Sequence, residues 1–95
     1  TLKQKNDPRK KPPFSPRSNY NMSKTISGKR MVTILCRGFG FYFVSQKGSH
    51  MKLAKKKDSH QVITIVPLHR ELAYGTLRGI LELAQIDEKE FWKKS

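Results

Sequence analysis

Acidic residues, cysteine and long apolar runs are all scarce in this 95-residue chain. Seven Asp+Glu stand against 20 Lys+Arg, a formal net charge of +13. The single cysteine, Cys36, excludes an internal disulfide. With only three histidines beside it, a Cys/His zinc cage is short of ligands. No apolar run is long enough to cross a bilayer, and none forms the core of a signal peptide. The expected class is therefore a soluble cytoplasmic protein with no membrane role. The sequence carries no Walker loop, no Gly-x-Ser-x-Gly elbow and no clustered carboxylates for magnesium. No metal and no cofactor are expected. A hydrophobic fraction of 36% is low for a globular chain. The positive charge favours a polyanionic partner, nucleic acid first.

The composition shifts near Met22. Residues 1–21 hold four of the five prolines, six basic residues and one acid. Such a segment cannot bury enough surface to offset its chain entropy. Residues 1–22 are read as a disordered basic leader, either a nucleic-acid-binding arm or a dispensable extension. Residues 23–95 are read as one small domain, with 14 basic and 6 acidic residues from position 22 onward.

Within that domain, Ser27 reads as a helix N-cap, flanked by Ile26 and Met31 at the spacing of a hydrophobic staple. Met31, Ile34 and Leu35 repeat at helical spacing, and Gly38 reads as the stop, giving a helix of about 27–37. Phe39, Phe41 and Phe43 then alternate with Gly40, Tyr42 and Val44 at strand spacing. The phenylalanines are expected in the core, with Tyr42 on the other side as the better base-stacking candidate. Lys47-Gly48 reads as a turn. Met51 and Leu53 fall on one side of a second strand and His50, Lys52 and Ala54 on the other. Lys55 to Ser59 reads as a polar connection, and Val62 to Val66 as a third strand stopped by Pro67. After a loop, Thr76 is expected to cap a helix with Leu77, Ile80, Leu81 and Ala84 on one face. Asp87 and Glu90 sit near capping-box spacing for a last short helix carrying Phe91. The expected fold is α+β, in the order α-β-β-β-α(-α), with a three-stranded antiparallel sheet. The helices cover one face and leave the other to solvent.

In that geometry His50 and Lys52 project side by side from the open face. Metal-free RNA cleavage needs such a pair: an imidazole near neutral pKa for proton transfer and a cation for the phosphorane. From composition alone, a solvated histidine with no task is the commoner explanation of His50. His60 reads as a hairpin-loop residue; His69 can serve as a second catalytic imidazole, but a structural hydrogen-bonding role is favoured. Ser49 can contact a phosphate or support the turn, with neither favoured. Lys55, Lys56 and Lys57 read as a solvated loop or as a holder of RNA backbone near His50. Cys36 reads as packing.

Five motifs occur in order. They are Ile26-Ser27-Gly28-Lys29 opening a helix, Gly38-Phe39 closing it, Gly48-Ser49-His50 starting the second strand, Val66-Pro67-Leu68-His69 ending the third, and Gly75-Thr76-Leu77-Arg78-Gly79-Ile80-Leu81 on the next helix. Together they resemble the HicA family of mRNA interferase toxins, over essentially all of residues 23–95. The resemblance implies a double-stranded-RNA-binding-domain-like fold and ribosome-independent cleavage of mRNA. It also implies that His50 is catalytic and that a cognate HicB-type antitoxin neutralises the toxin; the basic face leads to the expectation that this antitoxin is acidic. The competing readings are a non-catalytic double-stranded RNA-binding module and a basic subunit that only binds an acidic protein.

Overall fold

A computed structural model describes residues 25–95. The expected leader at 1–22 lies outside the described residues. The order of elements is α1 (Gly28–Phe39), β1 (Tyr42–Lys47), β2 (His50–Lys57), β3 (His60–Pro67), α2 (Tyr74–Ala84) and α3 (Glu88–Lys93). The three strands form one antiparallel sheet in the order β1-β2-β3. This is the α+β architecture expected from the sequence.

Ser27 caps α1 as its type predicts, its Oγ accepting from the Arg30 N–H at 3.0 Å. Ile26 and Met31 are both buried. The helix runs past Gly38 and ends on Gly40, which holds the left-handed cap at φ 78°. Gly38 serves a different need, since a Cβ there would meet the stem of Lys94 at 3.1 Å. The later stop moves Phe39 from the expected strand onto α1, where its ring stacks on Phe91 at 6.4 Å. Phe41 is buried, as expected. Phe43 is 56% exposed, against expectation. It lies in the edge strand, beyond the reach of the helices, and every residue of β1 is exposed.

The β2 strand is longer than expected. Lys55, Lys56 and Lys57 are strand residues paired with Val62, Gln61 and His60. The turn is confined to Asp58-Ser59, with Asp58 left-handed at φ 56°. His60 accordingly opens β3 rather than sitting in the loop. Ladder pairing outweighs the polarity of three consecutive lysines, because alternate side chains leave the sheet in opposite directions.

Val62, Thr64 and Val66 of β3 are buried, facing α1 and α2. Thr64 is fully buried, its hydroxyl donating to the Ile80 carbonyl of α2 at 2.9 Å. The core gathers Met31, Ile34 and Leu35 of α1, Leu53 of β2, Leu77, Ile80 and Leu81 of α2, and Phe91 of α3. The α2 helix starts at Tyr74, before the expected Thr76. Its N-cap, Ala73, offers no side chain, and the entry is set instead by buried Leu72, whose N–H donates to Ile26 O at 2.9 Å. Asp87 caps α3 through the Lys89 N–H, while Glu90 pairs with Lys93 at 3.2 Å instead of closing a capping box.

Candidate active site

Register decides which side chains share the open face. Met51 pairs with Val66 and Leu53 with Thr64, which point to the helices. His50, Lys52, Ala54 and Lys56 therefore point the other way, beside Pro67, Ile65, Ile63 and Gln61. His50 and Lys52 leave the open face together, as the alternation predicts. His50 is exposed, and Lys52 is half-buried.

The β1 strand adds a cation that alternation alone misses. The β1–β2 register shifts between Phe43 and Ser45, so one extra residue sits near Val44. Before the bulge Tyr42 pairs with Ala54; after it Lys47 pairs with His50. Tyr42 and Lys47, five positions apart, consequently share the open face. Strict alternation would put them on opposite faces. Cross-strand partners have Cβ atoms about 5 Å apart, so Lys47 is a direct sheet neighbour of His50, as Pro67 is on the other side. The signal was present in the two-residue turn: Gly48, left-handed at φ 59°, and Ser49 dictate that Lys47 and His50 pair. Lys52 lies between Ser45 and Ile65 on the same face.

The corner that carries His50 is fastened by main-chain hydrogen bonds. Leu68 N donates to Ser49 O at 2.7 Å, and Gly28 N to His69 O at 2.8 Å. Gly28 lies directly on β3, where a Cβ would fall 2.1 Å from Pro67 O. The Gly-Ser-His turn, the end of β3 and the N-terminus of α1 thus meet at one end of the molecule. Ser49 serves this corner through its carbonyl. His69 is exposed and contributes its carbonyl to the same corner.

The lysine run does not gather at His50. Lys55 and Lys57 leave the helix side of the sheet. Lys55 Nζ lies 5.4 Å from the centre of the Phe41 ring, and Lys57 Nζ donates to Gln85 Oε1 at 3.2 Å. Only Lys56 shares the open face, about 20 Å along the strand from His50. His60 is at that far end too, opposite Lys57. Tyr42 is 44% exposed, and its hydroxyl accepts from Gln61 Nε2 at 2.9 Å across the face. With Ile63 and Ile65 it forms an exposed apolar strip next to Lys52.

Burial pushes the Cys36 thiol up from its ordinary range, which suits a packing residue and not a nucleophile. Among the described residues, no three of His, Cys, Asp and Glu cluster as metal ligands. Among them too, no helix is long and apolar enough to cross a membrane.

The family model of the HicA toxin of bacterial toxin–antitoxin systems matches residues 28–86, from the first residue of α1 to just beyond α2. The chain belongs to the HicA toxin family. The matched stretch contains the whole fastened corner, and the sheet is the part of the HicA domain that presents His50. No curated protein matches the chain.

Proposed function

We propose that this HicA-family toxin is a metal-independent endoribonuclease that cleaves cytoplasmic mRNA without the ribosome, with His50 as the catalytic residue. The observation that carries the reading is the exposed imidazole of His50 at a corner fastened by main-chain hydrogen bonds, with Lys47 opposite it and Lys52 two residues along on the same open sheet face. His50 takes the proton of a ribose 2′-OH. The 2′ oxygen bonds to the adjacent phosphorus, the P–O5′ bond breaks, and the departing O5′ takes up a proton from water. The products are a 2′,3′-cyclic phosphate and a 5′-hydroxyl. Lys47 and Lys52 offset the negative charge of the phosphorane. Ser49, Tyr42 and Lys56 border the path of the RNA, with Tyr42 offering a ring to a base. Lys55 and Lys57 face away from this path, and their engagement with Phe41 and Gln85 supports a structural task instead.

His50→Ala in the full chain is the decisive test. It should lower the cleavage rate by about 10²–10⁴-fold and abolish growth arrest. Its melting temperature should stay near the parent's, because the side chain is exposed. Full toxicity from a folded His50→Ala protein would sink the reading. It would leave a double-stranded RNA-binding module, which needs no titrating group. Cleavage should also survive EDTA. Activity abolished by the chelator and restored by magnesium would overturn the metal-free route.

The partner proposed is an acidic HicB-type antitoxin seated on the open sheet face. Lys47 and Lys52 offer charge complementarity, and Tyr42, Ile63 and Ile65 offer apolar area. Hydrogen exchange of the complex should protect β2 near His50. Inhibition without protection there would mean that the antitoxin acts from elsewhere.

A further inference from the structure

The helical side of the domain carries a second basic feature that the His50 corner does not use. A cleft of about 730 Å³ lies between α1 and α3, lined by Arg30, Thr33, Arg37, Glu90, Lys93 and Lys94, with Gly38 and Ile34 between them. Four cations face one carboxylate. Glu90 is taken up by Lys93 at 3.2 Å, which leaves Arg30, Arg37 and Lys94 in excess.

The cleft is built rather than incidental. Arg30, Thr33 and Arg37 recur at helical spacing on one side of α1, so the two guanidinium groups are two turns apart, about 10 Å. Lys94 is brought across from the end of α3. Its stem crosses α1 at Gly38, where an added Cβ would be 3.1 Å from Lys94 Cδ. Its ammonium stands over the Phe39 ring at 5.7 Å, and Phe39 in turn stacks on Phe91. A lysine held in place by a ring has less freedom to lose on binding an anion. Arg30 is two residues from Gly28, which rests on Pro67, the residue opposite His50. The near end of the cleft therefore begins at the catalytic end of the molecule, and the far end lies two turns away.

We infer that this α1–α3 cleft holds the phosphodiester backbone of the RNA strand whose scissile phosphate lies at His50. The inference rests on the endoribonuclease reading and adds to it a second anchor, remote from the chemistry. A row of arginines and a lysine that spans about 10 Å suits a string of phosphates, because the charges repeat along a line. It reads no base, so it gives grip and direction without sequence preference.

The test is the full chain carrying Arg30→Gln, Arg37→Gln and Lys94→Gln together. These positions are exposed, and Gln preserves helix propensity and most of the stem. Binding is read with a fluorescent 20-nucleotide single-stranded RNA in the non-cleaving His50→Ala background, between 50 and 300 mM NaCl. The triple variant should bind at least about tenfold more weakly at low salt. Its log–log salt slope should be shallower by about 1–2, at roughly 0.7 for each phosphate that the variant no longer neutralises. With His50 present, KM for the same RNA should rise while kcat stays within about twofold, since the cleft grips substrate and transition state equally. Arg37→Gln alone should show the same pattern at smaller size. Unchanged affinity and slope in a folded triple variant would overturn the inference and leave the His50 reading intact. So would a fall in kcat at constant KM, or weakened binding to an acidic antitoxin with RNA binding unchanged. A parent protein that neither binds nor cleaves RNA would sink both readings.

Discussion

Gly28 has no room for a methyl group. An added Cβ would fall 2.1 Å from Pro67 O and 2.7 Å from Leu68 Cα, both main-chain atoms that cannot rotate aside. Gly28→Ala should therefore push α1 off the end of β3, at a cost of about 2–3 kcal/mol. In a domain of this size that is a fall of about 10–20 °C in melting temperature. Cleavage should fall as well, because Leu68 is tied to Ser49 next to His50. Thr64 gives a contrasting case. Its hydroxyl donates to the Ile80 carbonyl, so Thr64→Val should cost only about 1 kcal/mol, read as a small shift in the urea midpoint. Residue identity made part of this legible. The facing of His50 and Lys52 followed from simple alternation. Lys47 did not follow from alternation along β1, because a bulge in that strand changes its parity; only the two-residue Gly48-Ser49 turn points to its pairing with His50. Thr64 gave no signal either, since a buried hydroxyl and a solvated one look alike in sequence.

At the scale of elements, α3 is only six residues long and is held by Glu88. The Glu88 carboxylate accepts from Tyr74 Oη at 2.9 Å and Trp92 Nε1 at 3.1 Å, with Arg78 Nε at 3.6 Å. Glu88→Ala should loosen α3 from α2, costing about 1–2 kcal/mol. The readout is a red shift of the sole tryptophan's fluorescence. The existence and order of the six elements were legible, since caps, alternation and Pro67 mark most of them. Their edges were less so. Two glycines near the end of α1 compete for the stop, and only packing shows that Gly38 admits Lys94 while Gly40 turns the chain. The lysine run hid the end of β2 because charge is a poor guide to pairing at an exposed strand end. The start of α2 is set by Leu72 docking on Ile26, a hydrogen bond between distant parts of the chain that no local pattern encodes.

On the scale of the whole molecule, the domain has two basic surfaces and one apolar strip on its open face. A tight partner on that face should raise the melting temperature with the logarithm of its excess over Kd. The gain is about 2.7 kcal/mol when the free partner is at about 100 times Kd. Thermal scans of the toxin with increasing antitoxin should show this rise, and high salt should slow association more than dissociation.

The main-chain hydrogen bonds at the His50 end of the domain join Gly28 to His69 and Ser49 to Leu68, and Ile26 to Leu72 lies beside them. Each closes a long loop, and all need the stretch from Leu68 to Leu72. During synthesis at about 5–20 residues per second, that stretch emerges after His50 and both of its lysine neighbours. On the endoribonuclease reading, a nascent chain that displays His50 and its lysine neighbours has not yet closed this end of the domain, and activity should appear only once Leu68–Leu72 has emerged. On that reading, an inhibitor made alongside the toxin would have time to be present before the first active molecule exists.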